Sequence, residues 1–117
     1  MKTIKTSELT GPALDWAVGF ARCIEATDGK PVLARDLMTR AIKNGMATPS
    51  TDWSQGGPII EREMLAPEPL LDTNCALIKW RCRNWKGDGS DFYGPTPLIA
   101  AMRCYVASKL GDEVDVP

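Results

Sequence analysis

The chain has 117 residues, 44% hydrophobic and 25% charged, with 14 basic against 15 acidic side chains and a formal net charge of −1. That length suits one domain able to bury a core without covalent staples. The even charge argues against a dedicated duplex-DNA binder, which carries a basic excess, and no apolar run reaches the roughly eighteen residues of a membrane span.

The opening MKTIKTSELT has no apolar stretch behind its lysines and is not read as a signal peptide. Cys23, Cys75, Cys82 and Cys104 contain no CxxC pair, and the chain has no histidine. A zinc site is therefore not expected, and four free thiols in a reducing compartment are. The missing histidine also removes the commonest general base and every Ser–His or Cys–His nucleophile pair. Binding is thus favoured over catalysis, with carboxylate chemistry left open, and no cofactor is expected.

In chain order, Thr3–Thr6 alternates as a short strand. Pro12 fits the first turn of a helix running to Ala26, capped by Thr10 or Gly11, with Leu14, Ala17, Val18, Ala21 and Ile24 as its buried stripe. Trp16 and Phe20 flank that stripe at the core edge. Asp28-Gly29-Lys30-Pro31 stops the helix. Leu33, Leu37, Ala41 and Ile42 then recur at helical spacing, which predicts a helix over Val32–Asn44 with those residues inward. Met46–Gln55 reads as a loop, and Gly56-Gly57-Pro58 as a sharp turn into a short helix over Ile59–Leu65. Pro67 and Pro69 end it. Asn74–Lys86 alternates as the clearest strand, with Ala76, Ile78, Trp80 and Cys82 on the buried face and Lys79, Arg81, Arg83 and Trp85 opposite. Thr96 caps the last helix and Pro97 opens it. Ile99, Met102, Val106 and Leu110 form its core stripe, and Gly111 its stop. Asp112–Pro117 reads as a frayed acidic tail. The expected fold is α+β: one domain over residues 1–117, with a short, mainly antiparallel sheet against an N-terminal and a C-terminal helix.

The stretch Thr51-Asp52-Trp53-Ser54-Gln55-Gly56-Gly57-Pro58 is the leading site candidate. Glycine amides and a helix start can hold an anion, Trp53 can stack on a flat ring, and Asp52 and Gln55 can read hydrogen-bonding edges. The plain alternative is a helix-start loop whose polar groups satisfy its own backbone. Arg62 offers a guanidinium to phosphate, or a surface ion pair with Glu61 or Glu63. Thr96 stands at a second helix start, and Arg103, two turns on, is expected to fix the loop through Asp52, Glu61 or Glu63. The two proline-started turns are expected to meet in one site. Lys79, Arg81, Arg83, Trp85 and Lys86 suit either a single-stranded nucleic-acid platform or a solvated sheet face.

The segments Ser50–Trp53 with Gln55–Arg62, GPTPLIAAMRCYVASKLG over Gly94–Gly111, and Ser7–Gly11 with Ala13–Val18 resemble the NinX-like family of small accessory proteins from lambdoid and related tailed phages. The resemblance implies a phage or prophage product acting in the host bacterial cytoplasm and brings no particular activity. The leading expectation is a non-enzymatic protein for a nucleotide-like ligand. Trp53 would stack, Asp52 and Gln55 would read edges, and Arg62, Thr96 and the amides of Gly56 and Gly57 would hold phosphate, sequestering a host defence signal. The runner-up is a module that docks on a host or phage protein and shows an exposed apolar patch. A carboxylate hydrolase using Asp52, Glu61 or Glu63 comes third. A homodimer through the last helix stays open.

Overall fold

The computed structural model describes residues 2–43, 45 and 47–117. In chain order the elements are β1 (Lys2–Lys5), a 3-10 turn (Thr6–Glu8), α1 (Gly11–Ala26), α2 (Pro31–Lys43), α3 (Trp53–Glu63), β2 (Glu68–Leu71), β3 (Leu77–Arg83), β4 (Asp91–Gly94), α4 (Pro97–Leu110) and β5 (Glu113–Val116). Strands β2-β3-β4 form one antiparallel sheet, and β1 pairs antiparallel with β5 in a second. The fold is α+β, as expected.

The centre is α4. Leu98, Ala100, Ala101, Met102, Cys104, Tyr105, Val106 and Ala107 are all buried. A helix apolar on every side has no solvent face to offer, so other elements surround it. Helices α1 and α3, strands β3 and β4, and β5 pack on it. Its three buried alanines let these neighbours approach closely. The cap is as expected: the Thr96 side chain accepts from the Ile99 N–H at 3.2 Å. On α1, Leu14, Ala17, Val18 and Ala21 are buried, and Trp16 stacks on Phe20 at 5.1 Å between centroids.

Several boundaries differ from the sequence expectation. Helix α3 begins at Trp53, so Gly56, Gly57 and Pro58 lie inside it and form no turn. Asp52 caps it, accepting from the Ser54 N–H at 2.9 Å. Pro58 is tolerated because its missing N–H would have served the carbonyl of Ser54, in the exposed first turn. Pro67 and Pro69, read only as breakers, lead into and sit on edge strand β2, where a missing donor has little cost. Strand β3 is shorter than expected. Asp72 organises the hairpin turn before it, accepting from the N–H of Asn74 at 2.8 Å and of Ala76 at 2.9 Å. Trp80 and Cys82 point inward as expected, but Ala76 and Ile78 are exposed. The acidic C-terminus is not frayed. It pairs as β5 in the register Ile4↔Val114 and Lys2↔Val116, burying Val114 and Val116. On α2 the buried residues are Ala34 and Met38, while Leu33 and Leu37, expected inward, face solvent. Asn44, the expected end of that helix, and Met46, the expected start of the loop, lie outside the described residues.

Candidate functional site

The side chains singled out in the sequence do not form one pocket. Asp52 accepts from Ser54 Oγ at 2.7 Å and Gln55 Nε2 at 3.1 Å, and these bonds hold its carboxyl below the usual range. Gln55 Oε1 accepts in turn from the Thr48 N–H at 2.7 Å, and the Thr51 hydroxyl turns back to Thr48 O at 3.5 Å. The loop is thus occupied in capping a helix. Gly56 donates its amide to Asp52 O at 2.9 Å within α3, so it is not a free anion donor. Gly57, one position on, is likewise interior to the helix. Gly56 has a packing role: a Cβ there would stand 2.4 Å from Pro49 O and 2.5 Å from Leu98 Cδ2. The two proline-started turns therefore do meet, through Leu98 on Gly56, and the meeting is close apolar packing.

Trp53 is half exposed at the first position of α3, and Arg62 is nine residues later. At about 100° per residue those side chains leave opposite faces of one helix. Arg103 does not reach Asp52, Glu61 or Glu63. Its Nε donates to Leu9 O at 2.7 Å and its Nη1 to Tyr93 O at 2.6 Å, tying the turn before α1 to β4. The basic face of β3 is neutralised by Arg81–Glu68 and Arg83–Asp91 ion pairs. The Trp85 indole N–H donates to Met64 O at 3.1 Å, which pins the ring against the end of α3. Both features favour a solvated sheet face over a nucleic-acid platform.

Of the expected site residues, Arg62 alone borders a cleft of about 570 Å³ between α1, α2 and the end of α3. Its floor is apolar and small: Gly19, Cys23, Ala26, Met38, Ala41, Ile42 and Ala47. Gly19 leaves room for the Met38 side chain: a Cβ there would stand 2.8 Å from Met38 Cε, at the flexible end of that side chain. Asp15, Arg22 and Glu25 add charge along α1. Asp15 is buried, and its Oδ1 accepts from the Ser50 N–H at 2.9 Å. Burial pushes the Cys23 thiol up, so it stays neutral and serves as apolar wall. Arg22 has no carboxylate partner among the described residues and stands one turn before Glu25, which holds Arg62 Nη2 at 3.4 Å. Both arginines line the cleft. The sequence did carry a signal for this face: Asp15, Gly19, Arg22 and Ala26 repeat at helical spacing beside the core stripe, with a carboxylate among apolar residues.

Behind Arg62 lies an ion network. Glu63, buried, receives Lys109 at 3.1 Å, Arg62 at 3.2 Å and Lys86 at 4.0 Å. Burial works to raise its carboxyl, but hydrogen bonds from Lys109 and Arg62 outweigh that and hold it below the usual range. Glu25 receives Lys109 at 3.3 Å and the Tyr105 hydroxyl at 2.7 Å. Burial, with the bond to Glu25, pushes the Tyr105 phenol above its ordinary value, so it remains a neutral donor. The network locks the C-terminal ends of α1, α3 and α4 together and fixes Arg62 at the rim. Among the described residues no helix is long and apolar enough to cross a membrane, and no cluster of acidic, cysteine or histidine side chains is placed to hold a metal ion.

No curated protein matches the chain. The family described as Bacteriophage P22, NinX matches residues 5–109, from the end of β1 through the last turn of α4, which takes in every wall of the cleft and the whole ion network. The chain belongs to the Bacteriophage P22 NinX family.

Proposed function

We propose that this phage accessory protein works by binding, without turnover, a small ligand that has an apolar or planar body and an anionic group, seated in the cleft between α1 and α2. The observation that carries this reading is a cleft whose apolar floor is lined also by Arg62 and by Arg22, the latter free of a carboxylate partner among the described residues. Volume and composition suit such a site: ligand pockets are commonly about 300–1,000 Å³, mostly apolar, with a few polar groups setting orientation. A nucleotide-like ligand would lay its base over Met38, Ala41 and Ile42 and its phosphate across the two arginines, which offer planar forks of donors. In an infected bacterium such capture would sequester a nucleotide signal of host defence. A second reading, docking on a host or phage protein, is favoured by the apolar side chains left exposed on α2 and along β2 and β3.

The test is a thermal-shift screen against linear, cyclic and NAD-derived nucleotides. A ligand at a hundred times its dissociation constant adds about 2.7 kcal/mol, or roughly ten degrees in a domain of this size. The shift is expected to vanish in Arg22→Ala, whose unliganded melting temperature is unchanged, and to survive in Trp53→Ala. A panel without any shift, or a shift that ignores Arg22 and needs Trp53, defeats this reading.

A further inference from the structure

We propose that the outward face of α2 is a docking surface for an acidic amphipathic helix of another protein. Helix α2 rests chiefly on α1, and it does so through a narrow line, Ala34 and Met38. Beyond that line Val32 is 81% exposed, Leu33 50% and Leu37 37%. Leu33, Leu37 and Ala41 follow one another at four-residue spacing, so they form a continuous stripe along the helix. This is the periodicity of a face meant for burial, and in the isolated chain it meets solvent. Val32, Leu33 and Leu37 do not line the α1–α2 cleft, and the stripe reaches the cleft only at Ala41, so Leu33 and Leu37 test the surface apart from the ligand site.

Charge selects the occupant. Within α2 stand Arg35, Arg40 and Lys43 against Asp36, in a chain whose overall charge is −1. Asp36 is already bound to Arg40 at 2.9 Å. Lys30, just before the helix, and Lys43, at its last turn, have no carboxylate partner among the described residues. Two copies of this face would oppose like charges, which argues against a second copy of the chain. Glutamates flanking a leucine stripe would meet Lys30 at one end and Lys43 at the other, while the leucines seat beside Leu33 and Leu37. That is the helix-on-groove mode, read through anchors at i, i+3, i+4 and i+7. An anionic membrane shares the charge logic but needs side chains that insert about 5–10 Å. On this face only Val32 stands well exposed, while Leu33 and Leu37 are half or more covered, which leaves little apolar area to insert.

The experiment uses the intact protein and a dye-labelled synthetic helix with leucines at i, i+3, i+4 and i+7 and glutamates elsewhere, followed by fluorescence anisotropy. A matched peptide with lysines for glutamates is the control. The glutamate peptide is expected to bind, and the lysine peptide at least about tenfold more weakly. The pairs Leu33→Ser with Leu37→Ser, and Lys30→Glu with Lys43→Glu, are each expected to weaken binding at least about tenfold. All four positions are exposed, so the melting temperature should hold, and nucleotide shifts at the cleft should be unaffected. Equal binding of both peptides, indifference to the substitutions, or no binding of the glutamate peptide overturns the proposal. Binding to phosphatidylglycerol vesicles alone, or a dimer in sedimentation that the leucine substitutions disperse, likewise overturns it and assigns the face to a membrane or to a second copy.

Discussion

At the scale of single residues the two adjacent glycines of α3 make opposite predictions. A methyl group on Gly56 would collide with the Pro49 carbonyl and Leu98, neither of which can swing away easily. Gly56→Ala should cost about 2 kcal/mol or more, in the overpacking range. At Gly57 the nearest atom to a new Cβ is Trp53 Cε3 at 3.9 Å, ordinary contact. Gly57→Ala should stabilise by about 0.5–1 kcal/mol, because alanine is the better helix former. Chemical denaturation of both variants checks the pair of signs. Glu63 supplies a third test. Its folded carboxyl lies below its ordinary value of 4.5, so its contribution is present above that pH and is lost as pH falls through the depressed folded value. Glu63→Gln should therefore lower stability by about 2 kcal/mol at neutral pH, below the range for a fully buried pair, since Lys109 and Arg62 keep Glu25 and some solvent. It should also flatten the fall in melting temperature below pH 4.5.

At the scale of elements, the molecule closes through its ends. Strand β5 covers one edge of the core with Val114 and Val116, and the Thr6 hydroxyl donates to Gly111 O at 2.6 Å. Removing residues 112–117 should cost at least about 3 kcal/mol from the two valines alone, at about 1.5–3 kcal/mol each. A frayed tail would cost nothing, so one melting curve separates the two descriptions. The alternation Glu113-Val114-Asp115-Val116 was present in the sequence, but four residues are too few for a period of two to stand out from an acidic terminus. The bounds of helix α4 were legible because Thr96, Pro97 and Gly111 punctuate it, but its stripe was not, since Ile99 and Leu110 are half-buried while residues on every side of the helix are buried. Helix α3 was misplaced because glycine and proline are the usual signs of a turn. Here the Asp52 cap and the fit of Gly56 against Leu98 outweighed them. Arg103 shows the same limit from the other side. Nothing local to it announces that its guanidinium will bind the carbonyls of Leu9 and Tyr93. Arg103→Ala should cost about 2–3 kcal/mol, the range for hydrogen bonds made by a charged group, whatever its effect on any ligand.

At the scale of the whole molecule, the fold class and the phage family could be read from the chain, whereas the cleft proposed here as the site could not. The residues that look chemical in sequence, from Thr51 to Gly57 and at Thr96, are consumed in starting two helices. The cleft is built from residues that look structural: a glycine, a cysteine, small alanines, and charges on the flank of α1. The helical spacing of Asp15, Gly19, Arg22 and Ala26 marks one wall, but only the packing of α1, α2 and the end of α3 brings all of them together. The most direct test is an amide-resolved NMR titration of the protein with the strongest stabilising nucleotide from the thermal screen. The account predicts that the shifted amides fall on Gly19, Arg22, Cys23, Ala41 and Arg62, with saturation matching the thermal titration. Shifts gathered on Trp53–Gly57 and Thr96, with α1 and α2 unmoved, would contradict it and return the site to the loop before α3.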